Sequence, residues 1–208
     1  AANQYKSQSV VISFSPNPQV LTNKQNFRGQ IDTEKEKIKK LEDFGVDILL
    51  LLEFDKNIMQ MPAIDFLKNI IIKNFFPKLI LSGFNHFFGF NREGDFNFLK
   101  TQKNLHGFEL LQIEEHFIGN KNISSSKIRD DLKRGDIENA NKALGGAFLI
   151  SGYVKKGEGF GREIGFPTAN IEIEENKILP KKGVYFVEIL IGGKDLRGMC
   201  NVGVRPTV

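Results

Sequence analysis

The stretch Val46-Asp47-Ile48-Leu49-Leu50-Leu51-Leu52 decides the fold class of the first part of the chain. From Ile48 to its end this stretch is continuously apolar, whereas a strand with one face in water alternates apolar and polar residues. Similar short apolar runs, separated by stretches with helical spacing, occupy residues 10–14, 79–82 and 108–113. Strands of this kind, separated by helices, are typical of a parallel sheet that is covered on both faces.

The helices between these strands are recognised by their ends. Thr33 is followed three residues later by Glu36, which is a capping-box pattern, and Gly45 ends the helix that Thr33 begins. Pro62 suits the first turn of a further helix. The remaining helices are predicted near residues 95–103, at residues 124–134 before Gly135, and at residues 136–144 before Gly145.

The pattern changes after residue 144. Helical spacing disappears, and β-forming residues dominate residues 148–154, 184–191 and 196–202. Because Gly192-Gly193 suits a hairpin turn, we predict an α/β domain at residues 1–144 and a small antiparallel barrel or sandwich at residues 145–208. The second domain would have few strands and open sheet edges, and the first strand follows a polar stub at residues 1–9. We therefore expect that both ends of the chain are missing.

Composition limits the classes of partner. The formal net charge is +4, from 29 basic and 25 acidic residues, and the two signs alternate along the predicted helices, which argues against nucleic acid as a partner. A single cysteine, Cys200, allows no intrachain disulfide. The longest apolar runs fall far short of the about 20 residues that a membrane span needs. We expect a cytoplasmic protein without a membrane segment.

A possible metal face lies in Gly165-Phe166-Pro167-Thr168-Ala169-Asn170. Thr168 and Asn170 are two residues apart, so in an extended segment both side chains point to the same face. A hydroxyl and an amide oxygen are suitable ligands for Mg²⁺ on a nucleotide. The glycine-rich residues 157–162 just upstream could surround phosphates with backbone N–H groups. Spacing alone leaves an ordinary β-turn as an alternative.

A possible anion site lies at Ser124-Ser125-Ser126, just before a predicted helix. Serines at a helix N-terminus leave amide N–H groups and the positive end of the dipole facing an anion, and Arg129 adds a forked donor for phosphate. A simple N-cap is the alternative.

Residues 159–170, read as G-F-G-R-E-I-G-F-P-T-A-N, resemble the riboflavin kinase signature that binds ATP with Mg²⁺. The resemblance implies that Thr168 and Asn170 coordinate the metal and the nucleotide. It also implies nucleotide contacts for Gly159, Gly161 and Arg162.

Two stretches of the first domain resemble the FAD synthetase half of prokaryotic bifunctional riboflavin kinase/FAD synthetases. Residues 123–129, I-S-S-S-K-I-R, are similar to the I-S-S-T-x-I-R motif of that family, which implies ATP binding by the three serines and Arg129. Residues 83–95 are similar to its G-x-D-F-x-F-G…R…G-D stretch. The second match implies a flavin and nucleotide cleft, with flavin contacts from Gly83, Asn85, Phe88 and Arg92. The alternative is a turn after the third strand with its phenylalanines packed inward.

The chain also departs from the family pattern. Asn85 stands where the family has aspartate, and His86 where it has an aromatic residue. The family's H-x-G-H motif is absent, and His106 and His116 are interpreted as surface or turn residues. The glutamate base of the kinase would lie beyond the last residue, so the sequence indicates no catalytic residue.

The resemblance is in register from residue 10 to residue 207. It implies a Rossmann-like nucleotidyltransferase domain with a parallel sheet, followed by an incomplete antiparallel β-barrel riboflavin kinase domain. The implied reactions are the phosphorylation of riboflavin to FMN and the adenylylation of FMN to FAD, with ATP and Mg²⁺. Two alternatives stay open: a non-catalytic flavin- or nucleotide-binding protein on the same scaffold, and an enzyme with only one of the two activities.

Overall fold

A computed structural model describes residues 1–22, 24–115, 117–118, 121–157, 165 and 167–203. The chain forms two compact units, of which the first comprises Ala1–Phe27 and Ile38–Phe117. The second comprises Arg28–Lys37 and Ile118–Val208, so a short early segment belongs to the later part of the chain. Within the described residues, no helix combines the length and the apolar character needed to cross a membrane.

The first unit alternates strands and helices. In chain order its elements are β1 (Val10–Ser15), α1 (Pro18–Thr22), α2 (Glu34–Asp43, whose first turn belongs to the second unit), β2 (Ile48–Glu53), α3 (Lys56–Gln60), α4 (Ala63–Asp65), a π-helical run (Phe66–Ile72), α5 (Lys73–Phe75), β3 (Leu79–Gly83), α6 (Phe96–His106) and β4 (Glu109–Ile113). Short 3₁₀ turns cover Ala2–Tyr5, Lys24–Asn26 and Phe90–Arg92.

The four predicted strands of this unit are confirmed, and their pairing is parallel. β1 pairs with β2, with Val10 opposite Ile48, and β3 pairs with β4, with Leu79 opposite Glu109. Every residue of β1 is half-buried, which explains why the sequence shows no alternation there. Among the described residues the strands form two separate pairs, so one continuous parallel sheet is not seen.

The core of the first unit forms between its helices and the β3–β4 pair. Leu67, Leu99 and Phe108 are buried together, and Ile80 and Leu110 from the two strands pack against them. Ile80 lies near the start of β3, and the loop at residues 83–95 begins at the opposite end of that strand.

The second unit combines two helices with antiparallel strands. Its elements are α7 (Ser125–Arg134), α8 (Ile137–Leu144), β7 (Tyr153–Lys155), β8 (Asn170–Glu172), β9 (Gly183–Ile191) and β10 (Lys194–Val202). Two short strands precede them, β5 (Phe117–Ile118, whose first residue belongs to the first unit) and β6 (Lys121–Asn122). The core joins Ile128, Leu132 and Ala140 of the two helices to Ile178 of the later segment. Both helices end at the predicted glycines, Gly135 and Gly145, in the left-handed conformation.

The predicted hairpin is confirmed. β9 and β10 are antiparallel with Ile191 opposite Lys194, and Gly192 and Gly193 connect them with φ of +57° and +75°. β7 and β8 form a second antiparallel pair. A closed barrel is not seen among the described residues, and the fold they support is a mixed α/β fold with parallel and antiparallel pairs.

The strand predicted at residues 148–154 is mostly wrong, since only Tyr153–Lys155 is a strand. Side chains take the place of a strand partner in the preceding residues. The N–H of Phe148 donates to the Asn141 amide oxygen (2.8 Å), and the N–H of Ser151 donates to a carboxylate oxygen of Glu36 (2.6 Å).

Candidate functional sites

The serine cluster lies at the N-terminus of α7, as predicted. Ser124 is the N-cap, and its hydroxyl accepts from the N–H of Lys127 (3.3 Å). Ser125 and Ser126 lie in the first turn, and all three serines are exposed. The N-cap interpretation is therefore correct for Ser124, and Ser125 and Ser126 add two exposed hydroxyls to the same turn.

Arg129 lies on the second turn of α7 and is held by a backbone carbonyl. Its Nε donates to the carbonyl oxygen of Gly29 (2.8 Å). Partial burial, together with the neighbouring charge of Arg28, lowers the pKa of Arg129. Arg28 itself forms an ion pair with Asp130, and this contact lowers the pKa of Asp130. Two guanidinium groups thus lie near one face of α7, where a polyanionic ligand would relieve their repulsion.

The segment that orients Arg129 is tied to a later part of the second unit. The N–H of Gln30 donates to the carbonyl of Asn176 (2.7 Å), and the N–H of Ile178 donates to the carbonyl of Gln30 (2.9 Å). Gly29 has φ +91°, and a Cβ there would lie 3.2 Å from the Cβ of Ile178. Gly29 is therefore required both for its backbone conformation and for the close approach of these two segments.

A buried ion pair reinforces this connection. The Glu36 and Lys177 side chains are 1% and 0% exposed, and Lys177 Nζ donates to Glu36 Oε2. The same Nζ donates to the carbonyl of Ile31 (2.6 Å) and lies 4.5 Å from the centre of the Phe148 ring. A buried ammonium needs several such partners to offset its lost hydration.

Glu36 also completes the predicted capping box. One of its carboxylate oxygens accepts from the N–H of Thr33 (2.9 Å), and the Thr33 hydroxyl accepts from the N–H of Glu36 (3.3 Å). Burial alone would raise the pKa of Glu36. The hydrogen bond from Lys177, with those from the N–H groups of Thr33 and Ser151, outweighs burial and holds the pKa below its ordinary value of 4.5.

The loop after β3 is closed by a short antiparallel bridge. Phe88 and Gly94 exchange two backbone hydrogen bonds of 2.9 Å each. Within the loop, Gly89 has φ +74° and ψ 169°, a region that only glycine adopts readily. A Cβ at Gly89 would lie 2.6 Å from both N and Cα of Ala63, so this loop packs backbone to backbone against the start of α4.

The aromatic residues of this loop point in different directions. Phe88 is half-buried, and its ring centre lies 5.6 Å from that of Phe66 and 5.9 Å from that of Phe98. Phe87 is 40% exposed, and the guanidinium carbon of Arg92 lies 4.2 Å from its ring centre. The inward packing proposed as an alternative therefore applies to Phe88, whereas Phe87 and Arg92 form an exposed cation–π pair.

The two departures from the family pattern lie at the start of the same loop. Asn85 is exposed, and Gly83 at the end of β3 is half-buried. The ring of His86 stacks on Phe88 at 6.2 Å with an interplanar angle of 25°. Desolvation lowers the pKa of His86, which disfavours the charged form of the ring.

The Thr168 and Asn170 side chains are both exposed at the beginning of β8. Asn170 pairs with Lys155 of β7. A Cβ at Gly157 would lie 2.3 Å from Nδ2 of Asn170, so the absence of a side chain at Gly157 leaves room for the Asn170 amide. The other predicted nucleotide contacts of this half, Gly159, Gly161 and Arg162, lie outside the described residues, as does His116.

The donor chemistry at Thr168 and Asn170 fits Mg²⁺ better than a transition metal. Among the described residues, no group of three or more His, Cys, Asp or Glu side chains could hold a metal ion. A hydroxyl and an amide oxygen are hard, neutral donors, which suit an Mg²⁺ ion that receives its remaining ligands from phosphates and water. A Mg²⁺ ion here would depend on the nucleotide for most of its charge compensation.

Comparison with known proteins identifies both halves of the chain. The sequence profile described as FAD synthetase matches residues 1–127. The chain belongs to the FAD synthetase family. A second profile, described as riboflavin kinase, matches residues 144–208. The loop at residues 83–95 and the three serines lie in the FAD synthetase match, and Thr168 and Asn170 lie in the riboflavin kinase match.

Relatives whose names combine the two activities in a single protein support this assignment. The chain is 36% identical over 200 residues to the Escherichia coli K12 protein named bifunctional riboflavin kinase/FMN adenylyltransferase. It is 36% identical over 201 residues to the protein of that name from Buchnera aphidicola subsp. Schizaphis graminum, and 31% identical over 209 residues to that of Listeria monocytogenes. These alignments cover 96% to 99% of this chain. The chain spans 64% of the length of the Escherichia coli relative and 65% of the Listeria relative.

A solved structure shares the fold. It is named Macrolide-efflux Protein and comes from Streptococcus pneumoniae. The TM-score is 0.84 at 29% sequence identity, over 97% of this chain and 66% of the other. Both halves of this FAD synthetase family member therefore have counterparts in a known structure.

Three residues at these sites carry no motif signal of their own, and a fourth belongs to a motif that does not single it out. Arg28 and Lys177 are single basic residues in polar stretches, and their roles depend on partners that are distant in the sequence. Phe87 is one of several phenylalanines in its loop. Gly157 belongs to the glycine-rich stretch, but only its proximity to Asn170 distinguishes it from the glycines nearby.

Proposed function

We propose that this protein makes flavin cofactors from riboflavin and ATP, first phosphorylating riboflavin to FMN and then adenylylating FMN to FAD. The observation that carries the proposal is the order of the two family matches in one chain, at residues 1–127 and 144–208.

The functional division between the two halves would fall between residues 144 and 145. The first domain would be Rossmann-like and the second a β-barrel, and we propose a cytoplasmic location without nucleic acid or membrane partners.

In the adenylylation half, a phosphate oxygen of FMN attacks the α-phosphorus of ATP, and pyrophosphate leaves. Ser124, Ser125 and Ser126 bind the ATP phosphates through hydroxyl and N–H groups at the positive end of α7. Arg129 adds a guanidinium to the same anion, and Arg28 increases the local positive charge. The step needs no covalent intermediate with the protein, so these residues act by positioning and charge neutralisation.

The flavin of this half binds along the loop after β3. Gly83 and Asn85 line its beginning, where the neutral Asn85 amide replaces the carboxylate of the family pattern. We assign Arg92, which makes a cation–π contact with Phe87, to the flavin phosphate. Phe88 stabilises the conformation of this loop by packing its ring against those of Phe66 and Phe98.

In the kinase half, the riboflavin 5′-hydroxyl attacks the γ-phosphorus of ATP, and ADP leaves. Thr168 and Asn170 would hold Mg²⁺ together with the ATP phosphates. We assign Gly159, Gly161 and Arg162 to nucleotide contacts on the family resemblance alone, because they lie outside the described residues. When bound, Mg²⁺ neutralises phosphate charge. Gly157 keeps the Asn170 amide accessible.

One observation favours a second candidate, a protein that binds flavin without adenylylating it. Asn85 is exposed in the flavin loop at the position where the family has a carboxylate. Loss of that charge could remove the adenylylation step and leave binding intact.

Product analysis distinguishes these possibilities. The protein expressed from its complete reading frame is incubated with riboflavin, ATP and Mg²⁺, and flavins are separated by chromatography. FMN followed by FAD is expected, and FMN without FAD would refute the second activity. Flavin fluorescence that changes on binding while neither product forms would favour the binding protein.

A further inference from the structure

We propose that Lys177 is a positioning residue for the ATP site at α7, although it lies in the riboflavin kinase match and Arg129 follows the FAD synthetase match. The inference rests on the proposed function of that ATP site. It makes adenylylation depend on a residue of the kinase half.

The connection starts at Arg129 and proceeds through one short segment. The Gly29 carbonyl accepts from Arg129 Nε, and the next residue, Gln30, bridges the backbone of Asn176 and Ile178. The carbonyl after that, of Ile31, accepts from Lys177 Nζ at 2.6 Å. Three consecutive residues thus orient Arg129 at one end and are held by residues 176–178 at the other.

Lys177 cannot reach a ligand itself. Its side chain is fully buried, with its ammonium between the Glu36 carboxylate, the Ile31 carbonyl and the Phe148 ring. Its effect on ATP must therefore pass through the position of the Gly29 carbonyl. Because a buried ion pair often adds little net stability over well-packed apolar residues, its contribution lies in fixing one geometry.

The test removes both buried charges and keeps the volume of the pair. Replacing Lys177 alone would leave the Glu36 carboxylate buried without its cation, so the double variant Glu36→Gln with Lys177→Met is used. Lys39→Met is the matched control, because Lys39 forms an exposed ion pair with Asp43 on the same helix. Thermal unfolding first establishes that the variants are folded.

We expect the double variant to raise the KM for ATP in FMN adenylylation by at least about tenfold. This is the effect expected when one well-oriented hydrogen bond from a charged group is lost. The KM for ATP in riboflavin phosphorylation should change less than about twofold, and Lys39→Met should leave both constants unchanged. A wild-type KM for ATP in the folded double variant would overturn the proposal.

A double-mutant cycle with Arg129→Met separates positioning from a general structural effect. If Lys177 acts through Arg129, the Glu36→Gln/Lys177→Met substitutions do not raise the KM for ATP any further when Arg129 is already methionine. A further increase of the same size as in the wild-type background would contradict the proposed connection. If the double variant does not fold, Gly29→Ala replaces it. The same Arg129-dependent rise in KM then supports the proposal, and an unchanged KM overturns it.

The wild-type protein is measured before any variant. If it forms no FAD from FMN, the proposed function fails, and the positioning inference is then tested by ATP affinity in titration calorimetry. The double variant and Arg129→Met should weaken ATP binding by the same factor. Unchanged ATP affinity in the double variant would refute the inference by itself.

Discussion

Gly89→Ala should disrupt the loop at residues 83–95, which contains the proposed flavin contacts. The substitution adds one methyl group at a residue with φ +74° and ψ 169°. That methyl carbon would lie 2.6 Å from the backbone N and Cα of Ala63, at the start of α4. Because backbone atoms cannot rotate away as a side chain can, the loop or the helix start must move.

The structure allows the expected loss in the free energy of unfolding to be estimated. Backbone conformations of this type cost an alanine about 1–3 kcal/mol. Forcing an additional carbon into a packed position costs about 1–3 kcal/mol more. Gly107 offers a matched control, because it has φ +70° in the ordinary left-handed region and a Cβ there would meet nothing within 4 Å. Gly107→Ala should therefore cost only about 1–2 kcal/mol.

Urea unfolding of the two variants measures the difference in the free energy of unfolding. A thermal scan gives the same comparison, since each kcal/mol corresponds to about 2–4 °C in a protein of this size. FMN titration then reports on the loop itself, and only Gly89→Ala should weaken FMN binding. Equal destabilisation by the two substitutions would refute the close backbone approach.

Three further predictions concern the second unit. Thr168→Ala should reduce FMN formation by about 100-fold or more while leaving adenylylation of supplied FMN largely intact, and equal loss of both activities would contradict two separate sites. Gly157→Ala should displace the Asn170 amide and raise the KM for ATP in riboflavin phosphorylation, with little change in the urea midpoint, because the contacted atom is the end of a side chain. The lowered pKa of Glu36 contributes stability above pH 4.5 that is lost as pH falls through the folded-state pKa. The difference in unfolding free energy between wild type and Glu36→Gln/Lys177→Met should therefore decrease with acidification in that range, and a pH-independent difference would contradict it.

Local patterns predicted the parts of the fold that depend on neighbours in sequence. The apolar run at β2 predicted a doubly covered strand because burial of both faces removes the alternation that solvent would impose. The capping box at Thr33 and Glu36 and the stops at Gly135 and Gly145 depend on contacts within a few residues, and all of them are confirmed.

Patterns failed where a distant side chain competes with the backbone. Residues 148–151 have β-forming character, yet Asn141 and Glu36 accept the N–H groups that a strand partner would take. Glu36 was predicted as a helix cap, but no local signal indicates that it is buried against Lys177, 141 residues away. The same limit applies to the candidate site. Sequence motifs indicated Ser124 and Arg129, but the Gly29 carbonyl that orients Arg129 is brought there only by the tertiary fold.

The assignment of residues 28–37 to the second compact unit has a consequence for chimeric proteins. A graft of the kinase half from a relative, joined at residue 145, would bring a new counterpart of Lys177 but keep the old Glu36. The transplanted lysine would be buried among side chains that evolved with a different partner. The relative's counterpart of Ile178 would likewise have to pack against the original Ile128 and Leu132. Exchanges that carry residues 28–37 and 118–144 along with the kinase half should fold more reliably than exchanges at a single junction.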